Sequence, residues 1–134
     1  MFRFVSGAAD EEKIVPPAGV EVREGSRGRG VFAARDFASD ETIEICPTIE
    51  IGESDAGGVL GDYVISSNRD PKLNVFILGF GSLYNHSDSP CAEYMDNGDD
   101  SMVFVALRDI AEGEEITIDY GEEWWETRDL QPGS

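Results

Sequence analysis

Three short stretches of the chain hold the residues best suited to chemistry. Gly28-Arg29-Gly30 offers a backbone that a ligand can approach closely, because two of its positions lack a Cβ atom. Asn85-His86 contains the only histidine, and Tyr120 ends a strand-like stretch directly before Gly121. Taken singly, His86 is predicted to be structural or hydrogen-bonding, and Tyr120 to be a packed ring with its hydroxyl at the surface.

Other chemistries find no support in the residue types present. One histidine cannot build a histidine-based metal cluster, and Cys46 and Cys91 cannot build a disulfide framework or a four-thiolate zinc site. A Cys–His nucleophile pair would need support that the sequence does not offer. We therefore predict no metal site, and the two thiols fit a reducing compartment best.

Residues 28–33 also match the dinucleotide-binding pattern G-x-G-x-x-[GA]. Such a site needs a strand before the glycines and a helix after them. Here residues 34–37 lead to another turn, and no long helical periodicity is evident in the chain. The sequence therefore argues against a doubly wound nucleotide-binding fold and predicts a glycine-rich turn instead.

Trp124 and Trp125 are adjacent within a very acidic stretch. Both rings cannot face one core from a short segment, so at least one is available to stack on a ligand or a partner. The alternative is that they plug the core.

The charge of the chain is strongly acidic and unevenly distributed. Its 134 residues carry 28 acids and 10 bases, a formal charge of −18. Residues 1–92 contribute −7 and residues 93–134 contribute −11. This balance argues against nucleic-acid binding, which needs clustered Lys and Arg, and it favours basic partners. The alternative use of the charge is solubility.

The length suits one domain, and the hydrophobic pattern predicts a mostly β fold. The clearest strand is residues 42–51, where isoleucines alternate with polar neighbours, and Pro47 inside it predicts an edge or a break. Residues 59–67 fit a short helix or an irregular segment. Neither a membrane-spanning run nor a secretory signal is visible. Further strands are predicted at residues 20–22, 31–33, 75–78, 102–107 and 116–120.

Taken in order, three stretches of the chain resemble the SET-domain family of protein lysine methyltransferases. Residues 28–33 read GRGVFA, residues 79–87 read GFGSLYNHS, and residues 108–121 read RDIAEGEEITIDYG. They follow one another in the family's order and at its spacing. With no long insert and no zinc-binding flanks, the chain is most similar to the compact viral and bacterial members.

The resemblance implies a mostly β SET-domain (β-clip) fold of small curved sheets, in which the C-terminal segment threads under a preceding loop. It also implies S-adenosylmethionine (S-adenosyl-L-methionine) as methyl donor and a lysine side chain as acceptor, entering a narrow channel from opposite faces. We expect a lead-in over residues 1–19, the SET domain over residues 20–121, and a short segment over residues 122–134 that completes the cofactor site.

By the same resemblance, Tyr120 matches the tyrosine that closes the active site, and Tyr63 and Tyr94 fall where aromatics line the substrate channel. His86 would bond near the adenine through its backbone, and Trp125 would pack against the adenine. The implied cofactor-binding residues are Arg27, Gly28, Arg29, Gly30, Tyr84, Asn85, His86 and Trp125.

The chemistry expected of such a site agrees with the residues. Methyl transfer from a sulfonium is an in-line displacement, so positioning supplies much of the acceleration. The lysine amine, with a reference pKa of about 10.4, must first lose a proton, and desolvation beside a positive sulfonium lowers that pKa. No dedicated general base is then required, and the sequence has no obvious one.

Two departures from the family pattern stand out. Pro90 is followed by Cys91 where the family usually has a largely structural asparagine. Residues 45–47 offer no aromatic where many members place one in the channel. The degree of methylation therefore stays open, although Tyr94 favours a restricted channel and lower methylation.

The function predicted from the sequence is methylation of lysine in a basic, histone-like protein tail, in the cytoplasm or the nucleus. The alternative is a non-catalytic SET-like module that binds basic tails, which Cys91 and the C-terminal acidity motivate. An acidic nucleic-acid mimic would need neither Asn85-His86 nor Tyr120. We predict no membrane association. A homodimer is a further option, with Phe2, Phe4 and Trp124 as candidate interface anchors.

Overall fold

Nine strands and three short 3-10 helices make up the part of the chain that the structure describes. This computed structural model describes residues 17–121 except residues 56, 68, 69 and 71. The 3-10 helices are Glu53–Asp55, Gly58–Tyr63 and Gly81–Leu83. The strands are β1 (Val20–Gly25), β2 (Gly28–Ala33), β3 (Thr42–Gly52), β4 (Val64–Ser66), β5 (Leu73–Ile77), β6 (Asn85–His86), β7 (Ala92–Asp96), β8 (Ser101–Ala106) and β9 (Thr117–Ile118).

The predictions made for the two ends of the chain fall outside the described residues. This applies to the C-terminal segment over residues 122–134, and to most of the lead-in over residues 1–19. It also applies to the residues suggested as interface anchors or as an adenine contact, namely Phe2, Phe4, Trp124 and Trp125. No helix within the described residues has the length and hydrophobicity needed to cross a bilayer.

The strands form three small sheets, which confirms the mostly β prediction. β1 and β2 make an antiparallel hairpin. β4, β5, β3, β8 and β7, in that order, make an antiparallel sheet. β6 and β9 make a short parallel pair, with Asn85 opposite Thr117 and His86 opposite Ile118. The parallel pair joins the second and third motif stretches of the sequence.

The long strand β3 holds the central sheet together because it pairs with two partners in succession. Thr42–Pro47 pair with β8, and Thr48–Gly52 pair with β5. Pro47 lies where the partner changes, and its carbonyl accepts the Leu78 N–H at 2.9 Å. Proline has no N–H to donate, and here that gap falls at the boundary between two ladders of hydrogen bonds. The predicted break in pairing is therefore present, but it lies inside a central strand and not at an edge.

A β-bulge near the start of β3 changes which side chains face the core. The register shifts between Thr42 and Glu44, so Ile43 and Glu44 are both buried. After the bulge Cys46 is buried, whereas Ile49 is 47% exposed. The isoleucine alternation predicted the strand correctly, but one extra residue turned its later isoleucines away from the core.

The glycine stretch and the C-terminal strand also differ from the prediction. Gly28 and Gly30 begin β2 rather than forming the turn, because the hairpin already closes at the Gly25–Gly28 pair. Only Thr117–Ile118 of the predicted strand 116–120 pairs as β9. The strand stops there because the Tyr120 N–H donates to the His86 ring instead of to a neighbouring strand.

The segment before β9 fastens the hairpin to the core. The Ile116 N–H donates to the Val31 carbonyl at 2.8 Å, and the Ala33 N–H donates to the Glu114 carbonyl at 2.9 Å. Ile116 and Val31 are themselves fully buried. β2 is thus held on one side by β1 and on the other by a segment more than eighty residues later in the chain.

Cys91 takes up the hydrogen bonds expected of the missing asparagine. Its thiol lies 3.6 Å from the Glu115 carbonyl, to which it donates, and it accepts the Thr117 N–H at 3.5 Å. An asparagine amide would offer the same pair of functions, one donor and one acceptor. The two hydrogen bonds of Cys91 therefore tie its loop to residues 115 and 117.

Replacing Cys91 by valine should lower the free energy of unfolding by about 1–3 kcal/mol. Valine is apolar, with one more heavy atom than cysteine, and it leaves the buried Thr117 N–H without its acceptor. Cys91→Ser is the matched control, because serine keeps both hydrogen-bonding functions. Denaturant unfolding measures the difference. Equal stability of Cys91→Val and the native chain would show that the thiol contributes only packing.

Candidate active site

A pocket of about 350 Å³, including the solvent at its open mouth, lies between the central sheet and the β6–β9 pair. Four tyrosines line it: Tyr63, Tyr84, Tyr94 and Tyr120. Aliphatic side chains such as Ile77 and Ile118 complete the wall. A narrow aromatic pocket suits a long apolar stem that ends in a cation.

The hydroxyl of Tyr120 is fixed at the inner side of this pocket. It donates to the Tyr84 carbonyl at 2.8 Å, while the Tyr120 N–H donates to His86 Nδ1 at 3.1 Å. Burial, followed by the nearby charge of Glu115, raises the pKa of Tyr120 to about 12. The group is therefore a neutral phenol at physiological pH, able to orient a ligand by hydrogen bonds.

His86 links the two motif stretches through its ring. Because Nδ1 accepts a backbone N–H, the ring proton is assigned to Nε2, which lies 2.9 Å from Asp88 Oδ1. The ring is buried and lies 5.3 Å from the Tyr120 ring, measured between centroids. The His86 side chain thus forms hydrogen bonds in the structure and holds the Tyr120 main chain in place.

A second polar group forms beside the hairpin, around Gly30. The Asn85 amide donates to the Arg29 carbonyl and to Glu115 Oε2, both at 2.9 Å. Glu115 Oε1 pairs with Arg27 Nη1 at 3.3 Å, and only 8% of the Glu115 side chain is exposed. A Cβ on Gly30 would lie 2.4 Å from Glu115 Oε2 and 2.6 Å from Asn85 Nδ2. Gly30 is thus required for the close approach of these groups.

The mouth of the pocket carries negative charge. Asp62 lines the pocket and is exposed. Asp119, which directly precedes the pocket residue Tyr120 in the sequence, is also exposed. Burial, followed by the charge of Asp119, raises the pKa of Tyr94. Two carboxylates near an aromatic pocket favour a cationic ligand.

The chain matches the model of the SET domain over residues 28–121, well over half of its length. The chain belongs to the SET-domain family. The prediction of a SET-domain fold is confirmed.

Similar proteins agree with this family. The chain is 31% identical over 113 residues to an H3 lysine-37 specific histone-lysine N-methyltransferase of Schizosaccharomyces pombe, covering 79% of this chain and 76% of that protein. It is 42% identical over 62 residues to the histone-lysine N-methyltransferase set9 of Emericella nidulans, covering 46% of this chain and 9% of that protein. Family and relatives place this SET domain among the protein-lysine N-methyltransferases.

The fold is also found in a solved structure. A crystal structure described as a candidate histone methyltransferase of Plasmodium falciparum matches with a TM-score of 0.68 at 34% identity. The match covers 80% of this chain and 96% of that one. These relatives come from fungi and Plasmodium, so they do not support a specifically viral or bacterial type.

The structure brings most of the predicted site residues of this SET domain together in two groups. Tyr63, Tyr94 and Tyr120 meet at the pocket, whereas Arg27, the glycine stretch and Asn85 meet beside the hairpin. Arg29 contributes its carbonyl there. Trp125 lies outside the described residues.

Tyr84 differs from what a cofactor contact would require of a side chain. The residue is 1% exposed, its ring stacks on Phe104 at 4.5 Å between centroids, and its hydroxyl donates to Glu44 Oε1 at 2.6 Å. Only its main chain is left to meet a ligand. The sequence analysis did not predict Glu115 as a site residue. Its position in the third motif stretch, two residues before Thr117, could have indicated that it lies close to Asn85.

Replacing Gly30 by alanine should destabilise this SET domain by about 1–3 kcal/mol, because the new Cβ overpacks against Asn85 and Glu115. Gly57→Ala is the control: Gly57 has a φ of −78°, which alanine adopts without strain, and no atom lies within 4 Å of the position of its Cβ. Thermal unfolding and the side-chain amide resonances of Asn85 measure the effect. Unmoved resonances in Gly30→Ala would contradict the close approach.

Proposed function

We propose that this SET domain transfers a methyl group from S-adenosylmethionine to a lysine of a basic, histone-like protein. The observation that carries the proposal is the convergence of Tyr63, Tyr94 and Tyr120 on one pocket, with the Tyr120 hydroxyl held by the Tyr84 carbonyl. The names of the similar proteins support histones as the substrate class for this chain.

The residues beside the hairpin fit the proposed cofactor. Arg27, Asn85 and Glu115 supply both charges and an amide next to the glycine backbone, which suits the charged amino-acid end of such a molecule. No atom lies within 4 Å of the position that a Cβ on Gly28 would occupy, so the backbone there is open to a ligand. When bound, the cofactor supplies an electrophilic methyl group on a positively charged sulfur.

The pocket residues do the remaining work on the lysine. The tyrosine rings surround its apolar stem and exclude water, which favours the neutral amine over the ammonium. Because the Tyr120 hydroxyl donates to the Tyr84 carbonyl, its oxygen remains able to accept an N–H from the amine. Tyr120 thus orients the nucleophile, and a phenol with a pKa of about 12 is not needed as a base.

The alternative function is a SET-like module that binds basic tails without catalysis. Cys91 no longer favours this reading, because its thiol makes both hydrogen bonds of the loop. Calorimetry separates the two functions: the proposed enzyme releases heat with S-adenosylmethionine alone, and a pure tail-binding module does not.

Several finer predictions stay with this proposal. The relatives that act on histones support an intracellular location that includes the nucleus. The degree of methylation, a homodimer and similarity to the compact viral or bacterial members also stay predictions.

Tyr120→Phe should lower kcat by on the order of a hundredfold, since it removes the hydroxyl that orients the amine but keeps the ring. The assay follows a labelled methyl group from S-adenosylmethionine into basic protein substrates, and mass spectrometry identifies the modified lysine. Cofactor affinity by calorimetry and thermal stability serve as controls and should stay near the native values. Full activity in Tyr120→Phe would refute this role, and no transfer to any lysine-containing substrate by the native chain would count against the enzyme.

The acidic mouth should make substrate binding depend on salt. Raising the ionic strength should raise KM for a basic peptide, because screening weakens steering by exposed charges. Asp62→Asn with Asp119→Asn should raise KM at low salt and flatten this dependence. Glu112→Gln is the control, because Glu112 is exposed and does not line the pocket. It removes one negative charge, as each of the two aspartate substitutions does. A KM that ignores salt in the native chain would favour solubility as the use of the charge.

A further inference from the structure

Glu44 is a completely buried carboxyl group that the proposed reaction does not use directly. It lies on β3 at 0% exposure, opposite Phe104 of β8 in the strand register. Its Oε1 accepts the Tyr84 hydroxyl at 2.6 Å. Its Oε2 is buried without a partner of good hydrogen-bond geometry among the described residues, although the Cys46 thiol and the Phe80 N–H lie close enough to lower the pKa of the carboxyl.

Stability alone does not explain a carboxyl group at this position. Burial outweighs these hydrogen bonds and raises the pKa of Glu44, which favours the neutral acid. Replacing a buried polar group of this kind by a well-packed apolar residue of similar volume is often neutral or stabilising. The distinctive effect of Glu44 is therefore the fixed position of the group that it binds.

Tyr84 is held at both of its ends. Its hydroxyl is bound to Glu44, and its ring is stacked on Phe104 at an interplanar angle of 15°. Its carbonyl accepts the Tyr120 hydroxyl at 2.8 Å. The ring and the carbonyl belong to one residue, so a shift of the buried ring also moves the acceptor that aims the Tyr120 hydroxyl.

The turn at residues 79–81 packs over the same carboxyl group. Gly79 has a φ of +66°, and a Cβ there would lie 3.2 Å from Glu44 Oε2. A Cβ on Gly81 would lie 2.1 Å from Ile77 and 3.2 Å from Cys46 Sγ. Gly79 therefore lets the chain pass close over Glu44 shortly before it reaches Tyr84, and Gly81 lets it pack on Ile77 and Cys46 beside that carboxyl.

We propose that Glu44 is a positioning residue of the methyl-transfer site, which sets the direction of the Tyr120 hydroxyl by fixing Tyr84 from inside the core. The inference rests on the function proposed above. It adds a residue that lines neither the pocket nor the hairpin group. Glu44 acts through two hydrogen bonds in series: it accepts the Tyr84 hydroxyl, and the Tyr84 carbonyl accepts the Tyr120 hydroxyl.

The test compares Glu44→Leu, Glu44→Gln, Tyr84→Phe and the double variant Glu44→Leu with Tyr84→Phe. Leucine removes the acceptor at similar volume, and glutamine keeps an oxygen that accepts the Tyr84 hydroxyl. We expect Glu44→Leu and Tyr84→Phe each to lower kcat on the order of tenfold to a hundredfold, with KM for peptide and cofactor unchanged. The double variant should lose no more than either single variant, because both remove one interaction. Glu44→Gln should restore most of kcat.

A second readout does not depend on activity. In protein labelled with 3-fluorotyrosine, the fluorine resonance of Tyr120, assigned with Tyr120→Phe, should shift in Glu44→Leu and return towards its native position in Glu44→Gln. Phe37→Leu is the control, since Phe37 is 2% exposed, its main chain forms a β-bridge with Ile110, and its ring lies under the Arg35 guanidinium. It should lower the melting temperature without moving kcat or this resonance.

The outcomes separate the two proposals. Native kcat and an unmoved Tyr120 resonance in Glu44→Leu would overturn the positioning role, as would a loss of kcat equal to that of Phe37→Leu at the same fall in melting temperature. If the native chain methylates no lysine, the proposed function fails. The fluorine resonance then still decides whether Glu44 holds Tyr120.

Discussion

The parallel pairing of β6 with β9 is the constraint on which both groups of site residues depend. It sets Asn85 and His86 beside Thr117 and Ile118, two stretches that the sequence separates by about thirty residues. From this pair, the Asn85 amide reaches the hairpin and the His86 ring holds the Tyr120 N–H. A strand of two residues contributes little stability by itself, so its geometry is enforced by the side chains that it brings together.

The polar groups proposed to bind the cofactor already have partners within the fold. The Asn85 amide already spans the Arg29 carbonyl and Glu115, and Glu115 also pairs with Arg27. A ligand that binds there joins an existing network of charges, which is arranged before binding and needs little reorganisation. The tyrosine pocket is different in kind, because aromatic and aliphatic side chains make up most of its lining and Asp62 is the charged residue among them.

The motifs of the sequence predicted the family, the β class and the residues that meet at the pocket, because those depend on residue types at fixed spacing. Positions that depend on long-range packing were not predictable. The bulge at the start of β3 puts Glu44 inside, where alternation predicted a polar residue facing outward. The partners of Glu115, Arg27 and Asn85, become its neighbours only when the chain folds and residues 114–116 pack against β2. The Cys91 departure looked disruptive in the sequence, yet its thiol keeps both bonds of the loop.

The attachment of β2 to residues 114–116 has a consequence for how the domain is made. Val31 and Ile116 are hydrogen-bonded neighbours in the core, although nearly the whole domain lies between them in sequence. Such distant contacts slow folding, because a long loop must close before they form. During synthesis, the hairpin emerges from the ribosome long before its partner, with one edge of β2 still unpaired. The site is therefore completed last, when almost all of the domain has been translated.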